Sequence, residues 1–134
     1  MRMAVGIVAG ILVAFLCIFA VEWAGHRLYP PPPGLDMSDP ADQARLMEAI
    51  PAVAKTFVLL AWFIGALAGA WTANRIAGRN IAGWVVALIL VAAGIATMLM
   101  LPHPAWMWAG GIGLPLLGGW IADRMSAGRR ARAA

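Results

Sequence analysis

The chain alternates long apolar runs with short polar interruptions, and the runs are of membrane-spanning length. The first run covers about residues 5–28, the second about 53–73, the third about 81–101 and the fourth about 105–122. A helix rises roughly 1.5 Å per residue, and a bilayer core about 30 Å thick needs about 20 apolar residues to cross. None of the runs alternates apolar with polar residues, as the strands of a membrane barrel would. The pattern therefore predicts an all-α protein, a four-helix transmembrane bundle forming a single integral membrane domain.

The interruptions have distinct chemistry. After the first run comes Tyr29 and then Pro30-Pro31-Pro32-Pro33-Gly34. Four prolines lack N–H donors and favour stiff, extended backbone. Ser38-Asp39-Pro40 then reads as a helix start, with a capping side chain followed by proline in the first turn. Leu46, Met47 and Ile50 fall on one face at helical spacing, so residues 29–52 are expected to form a Pro-rich outer loop carrying a short interfacial helix. The link at 74–80 is short and basic, and Pro102-His103-Pro104 makes a tight turn into the fourth run. Pro115 lies inside that run, where a kink is expected. Residues 123–134 read as a polar tail.

Charge sets the orientation. Arg2, Arg75, Arg79, Arg124, Arg129, Arg130 and Arg132 fall on one side, and Arg27, Arg45 and Lys55 on the other. Seven against three places both termini in the cytoplasm of a bacterial-type inner membrane, because short basic flanks stay inside. Tryptophans prefer the two interfaces. Trp23, Trp106 and Trp108 fall at the outer level and Trp71, Trp84 and Trp120 at the inner one; Trp62 is the exception, near the middle of the second run.

Composition agrees with lipid as the solvent. The 134 residues are 63% hydrophobic and 12% charged, against roughly a quarter charged for a soluble domain. The net charge of +4 is spread over span flanks, which argues for membrane orientation and against nucleic acid. The lone cysteine, Cys17, sits within the first run and excludes an intramolecular disulfide.

Three features remain as candidates for function. Glu22 and His26 are four apart on one helix face, and topology puts His103 on the same side of the membrane. An acid and two imidazoles there suit proton exchange, substrate binding or a divalent transition metal. By rise along the helix Glu22 falls close to the outer headgroup level, where pairing with His26, Arg27 or Lys55 is the plainer role. Gly6 and Gly10 form one small-xxx-small stripe, and Gly65 and Gly69 another. Such stripes pack helices either within a chain or between copies in a homo-oligomer. Finally, the ends of the second and fourth runs resemble each other: Trp71-Thr-Ala-Asn-Arg75 then Gly78-Arg79, and Trp120-Ile-Ala-Asp-Arg124 then Gly128-Arg129. Val8-Ala9-Gly10 and Ile81-Ala82-Gly83 open the first and third runs in a similar way. The pattern suggests two hairpins in parallel repeat.

No nucleophile elbow, phosphate-cradling glycine loop or paired buried carboxylate is present, so the sequence does not point to an enzyme. No cofactor is implied. The expected function is that of a structural or accessory membrane protein that self-associates through its glycine stripes. The alternative is a small transporter or permeation module with an outer-facing Glu/His site, whose substrate the sequence does not name.

Overall fold

The computed structural model describes the backbone of residues 1–133 and the side chains of residues 1–127. It contains five helices: α1 (Arg2–Leu28), α2 (Pro40–Ala49), α3 (Ala52–Ala77), α4 (Ile81–Met100) and α5 (Ala105–Ala133). Three of them, α1, α3 and α4, are long and apolar enough to cross a membrane. The expectation of four such helices is corrected at α5. Its apolar run is diluted by Trp106, Trp108, Trp120, Pro115 and the glycines at 110, 111, 113, 118 and 119, all weak contributors to hydropathy. Even so, α5 packs along both α3 and α4.

The long helices differ from the expected runs mainly at the C-terminal ends of α3 and α5. α3 continues past residue 73 to Ala77 and stops at Gly78, which takes φ +69° while its N–H donates to the Asn74 carbonyl. Only glycine enters that left-handed region freely, and it is the usual helix stop. α5 also runs on: the segment expected as a polar tail from residue 123 is helical through Ala133. Pro115 is buried inside α5, and the helix continues through it.

α3 is the central element, contacting α1, α4 and α5. The α1 pattern explains its own packing. Val5, Val8, Leu12, Phe15, Leu16, Phe19 and Trp23 recur at helical spacing on one exposed stripe. Gly6, Gly10, Ala14 and Gly25 occupy the opposite, buried stripe. Large side chains thus face outward and small ones face the neighbouring helix, as expected where lipid is as apolar as leucine and close approach supplies the attraction.

The two glycine stripes meet each other. A Cβ added to Gly10 would lie 2.6 Å from the Gly69 carbonyl oxygen, and one added to Gly69 would lie 2.6 Å from that of Gly10. Gly6 abuts the Ala73 carbonyl oxygen at 2.8 Å, and Gly65 abuts Ile18 and the Ala14 carbonyl oxygen. Of the two roles open to the stripes, they serve helix packing within the chain. Around this seam Ala14, Ala66, Ala73, Ala82, Val86 and Leu90 form a tightly filled core.

A second core lies toward the other end of the bundle and is built from larger residues: Met47, Leu59, Trp62, Met98 and Met107 with Ala61. Met47 is the buried residue of α2, so the short helix sits over this end of the bundle. Its N-cap is Asp39, whose carboxylate accepts from Ala41 N–H at 2.9 Å, with Pro40 in the first turn. The loop before it is organised by acids. Asp36 Oδ1 accepts from the Ser38 hydroxyl at 2.7 Å and from its N–H at 2.9 Å, and Asp42 Oδ2 accepts from Asp36 N–H at 3.0 Å.

Candidate functional site

An elongated cavity of about 520 Å³ opens in the same end of the bundle as the larger core. Its walls are α1 from Phe15 upward and α4 from Leu90 to its C-terminal end, with α3 behind and Leu46, Met47 and Ile50 of α2 above. α1 and α4 touch in the small-residue half, where Gly10 lies against Val86. The exposed Phe15, Phe19, Ala93 and Thr97 mark the side where the cavity faces outward between the two helices.

Glu22, His26 and His103 all line this cavity. The structure thus brings the three sequence candidates to one space, but not to one point. Glu22 is half-buried, with the Trp62 side chain close to its carboxylate. An indole N–H only donates, so a carboxylate is the kind of partner it can use. His26 stands one turn further along α1, at the rim, within electrostatic reach of Glu22. His103 sits in the α4–α5 turn with Nδ1 2.9 Å from the Leu101 carbonyl oxygen. A carbonyl can only accept, so Nδ1 carries the proton and Nε2 is the nitrogen left for other partners. The three stand at different positions along the cavity wall. Among the described residues no three His, Cys, Asp or Glu side chains gather as a metal-binding group. Glu22, His26 and His103, the residues expected to hold a divalent metal, share the lining of one cavity.

The plainer expectation for Glu22 also changes. Among the described residues the ion pair formed is Arg45–Asp42, at 3.0 Å on the surface. Arg27 instead lies over the Trp23 ring, 5.0 Å from its centroid. That geometry keeps the guanidinium beside Trp23 at the C-terminal end of α1.

Trp62, expected near the middle of the second run, is the residue to which the sequence assigned no role. It is only 8% exposed. Added Cβ atoms at Gly94 and Gly111 would meet its ring carbon Cζ3 at 3.0 and 2.7 Å, so α4 and α5 supply glycine slots for the ring. The ring packs in the larger core, and the side chain lies close to Glu22 on α1. A tryptophan at mid-span level, away from both interfaces, was the available signal: in a buried position its N–H requires an acceptor.

The remaining polar groups on the cavity wall are Lys55, Thr97 and Tyr29. Lys55 is in the first turn of α3, half-buried at the rim. The Thr97 hydroxyl donates to the Ala93 carbonyl at 3.0 Å. Tyr29 stacks obliquely on Phe57, with ring centroids 6.0 Å apart.

The opposite end holds a separate polar contact. Asn74, 3% exposed, accepts the Gly83 N–H on its Oδ1 at 2.7 Å. Gly83 has no room for a Cβ, which would fall 2.6 Å from that oxygen. The contact fastens the start of α4 to the end of α3. Arg75 over Trp71 (5.4 Å) and Arg124 over Trp120 (5.0 Å) repeat the Arg27–Trp23 arrangement. All three are Trp-x-x-x-Arg sequences: Trp23-Ala-Gly-His-Arg27, Trp71-Thr-Ala-Asn-Arg75 and Trp120-Ile-Ala-Asp-Arg124.

The chain matches no known family model, no curated protein and no solved structure. Its function has to be argued from the cavity itself.

Proposed function

We propose that the protein is a four-span inner-membrane protein that binds a small amphiphilic molecule in an outer-facing cavity, as a small transport or permeation module does. The observation that carries this is the half-buried Glu22, close to Trp62 on the wall of a largely apolar cavity of about 520 Å³. Ligand cavities are typically about 300–1,000 Å³, apolar in the main, with a few placed polar groups. An ionisable side chain inside a span is costly and usually functional.

The seven-to-three distribution of basic residues supports cytoplasmic termini, which puts the cavity on the outer side. In this reading α5 is the fourth span, supported by its packing along α3 and α4. Paired Trp-x-x-x-Arg ends on α3 and α5 support a parallel repeat of two hairpins. The glycine stripes that motivated self-association are used inside the chain, so oligomerisation forms no part of the proposal. Nothing in the cavity resembles a catalytic constellation, and the reading is of a binding protein and not an enzyme.

The test is ligand retention. The purified protein in mild detergent should retain long-chain amphiphiles in native mass spectrometry. Filling the cavity with Ala93→Trp should abolish retention while the melting temperature stays near wild type. Equal retention by both proteins sinks the proposal.

A further inference from the structure

The cavity wall is graded along the helix axes, and the grading can be read from which residues face each other. Gly25 packs on Phe57, Gly65 on Ile18 and Gly10 on Gly69, so α1 and α3 run antiparallel in a fixed register. Trp62 packs on Gly94, which sets α4 against α3. In that register Phe15 and Leu90 form the floor. Glu22, Trp62 and Thr97 form a middle level. His26, Lys55 and His103 form the rim.

Each level has its own chemistry. The floor is wholly apolar. The middle offers one carboxylate, with several lone pairs to accept on. The rim offers three nitrogen bases. From Lys55 to Trp62 is seven residues, about 10 Å along the helix; from Glu22 to His26 is one turn, about 6 Å. Read from outside inward, the order is base, acceptor, hydrocarbon.

The walls from Phe15 to His26 and from Leu90 to Leu101 each span about 17 Å of helix, a length that an extended hydrocarbon chain can follow in the cavity. Its outward face between α1 and α4, flanked by exposed Phe15, Phe19 and Ala93, lets such a chain enter from the side.

Resting on the function proposed above, we infer that the ligand is a single-chain lipid with an anionic phosphate head and a free hydroxyl beside it, the chemistry of a lysophospholipid. The phosphate sits at the rim against Lys55 and His26, with its own O–H donating to His103 Nε2. The hydroxyl donates to Glu22 one turn deeper. The chain runs down past Phe19 to Phe15 and Leu90. The free hydroxyl leaves one chain on the glycerol, and a cationic amphiphile would place its charge among the rim bases.

The test compares four probes on the detergent-solubilised full chain by native mass spectrometry and competition: palmitoyl lysophosphatidic acid, its 2-deoxy counterpart, hexadecanol and hexadecyltrimethylammonium. The wild type should prefer the hydroxyl-bearing phosphate over the deoxy form by about tenfold, the scale of one hydrogen bond to a charged acceptor. Glu22→Gln should reduce that preference to less than about threefold. Lys55→Gln should weaken both phosphate ligands by about tenfold and leave hexadecanol unchanged, which also verifies that the variant is folded. Equal affinity for both phosphate forms, or tighter binding of the cationic probe, overturns the inference while leaving an amphiphile-binding cavity intact. Retention of none of the four overturns the underlying functional reading as well.

Discussion

The two halves of this bundle solve the same packing problem in opposite ways. In the half around Gly10 and Gly69, small residues bring backbones together until no Cβ fits between them. In the half around Trp62 and Met107, large residues hold the helices apart and leave a cavity. The first arrangement gains from close van der Waals contact, the main attraction between helices in lipid. The second gives up that contact and gains room for a half-buried carboxylate. The lesson is that residue size along α1 and α3 sets where the bundle is closed and where it is open.

That contrast can be broken most severely at Trp62. Trp62→Ala removes the ring that fills the Gly94 and Gly111 slots and lies close to Glu22. A loss of about 3–5 kcal/mol is expected, the usual cost of deleting a buried aromatic. Denaturant titration in mixed micelles measures it; a loss below about 1 kcal/mol would mean that the ring does not organise the open half.

The closed half should answer to added volume. Gly10→Ala and Gly69→Ala each press a methyl onto a facing carbonyl 2.6 Å away. Each should cost about 1–3 kcal/mol, the range for overpacking. Gly113→Ala is the matched control, because nothing lies within 4 Å of its added Cβ. Alanine is the better helix former by roughly 1 kcal/mol, so this variant should be neutral or slightly stabilised. Equal melting temperatures for Gly10→Ala and Gly113→Ala would refute the account of the seam.

Asn74→Ala sharpens the comparison at the far end of the closed half. It leaves the buried Gly83 N–H without its acceptor and should cost about 1–3 kcal/mol. Hydrogen exchange should quicken at Gly83 before it quickens at Gly94. Uniform acceleration along α4 would contradict a local clasp.

The smallest expected effect lies in the outer loop. Hydrogen bonds from the Ser38 hydroxyl, and then from its N–H, hold the Asp36 carboxyl below its ordinary value of 3.8. A depressed folded value means that the loop contact is present above the unfolded value and is lost as pH falls through the folded one. The Ser38 amide resonance should therefore titrate below pH 3.8. The Asp36→Asn protein should show no such titration, and a wild-type midpoint above 3.8 would reverse the sign.

Much of this fold was legible along the chain. Apolar runs of spanning length, the capping Asp39-Pro40 pair and the proline block each act through neighbours in sequence, so their elements fall close to where expected. Gly78 ends α3 for the same local reason. α5 was read less well. Its run resembles a span in length, yet its glycines, tryptophans and proline dilute its hydropathy, and its helix continues well beyond the apolar stretch. The candidate site was legible only in part. Spacing placed Glu22 and His26 on one face, and topology brought His103 to the same end. Trp62 stayed hidden because its role depends on glycine slots in two other helices.

By itself the sequence determined an all-helical chain with apolar spans, a basic side and small-residue stripes, because hydrophobicity, charge and backbone preference are properties of single residues and near neighbours. Only the tertiary structure decided that the stripes of α1 and α3 face each other, that Trp62 lies close to Glu22, and that His26 and His103 share its cavity. Those outcomes depend on the register between helices, and register is set by how side chains far apart in sequence fit against one another.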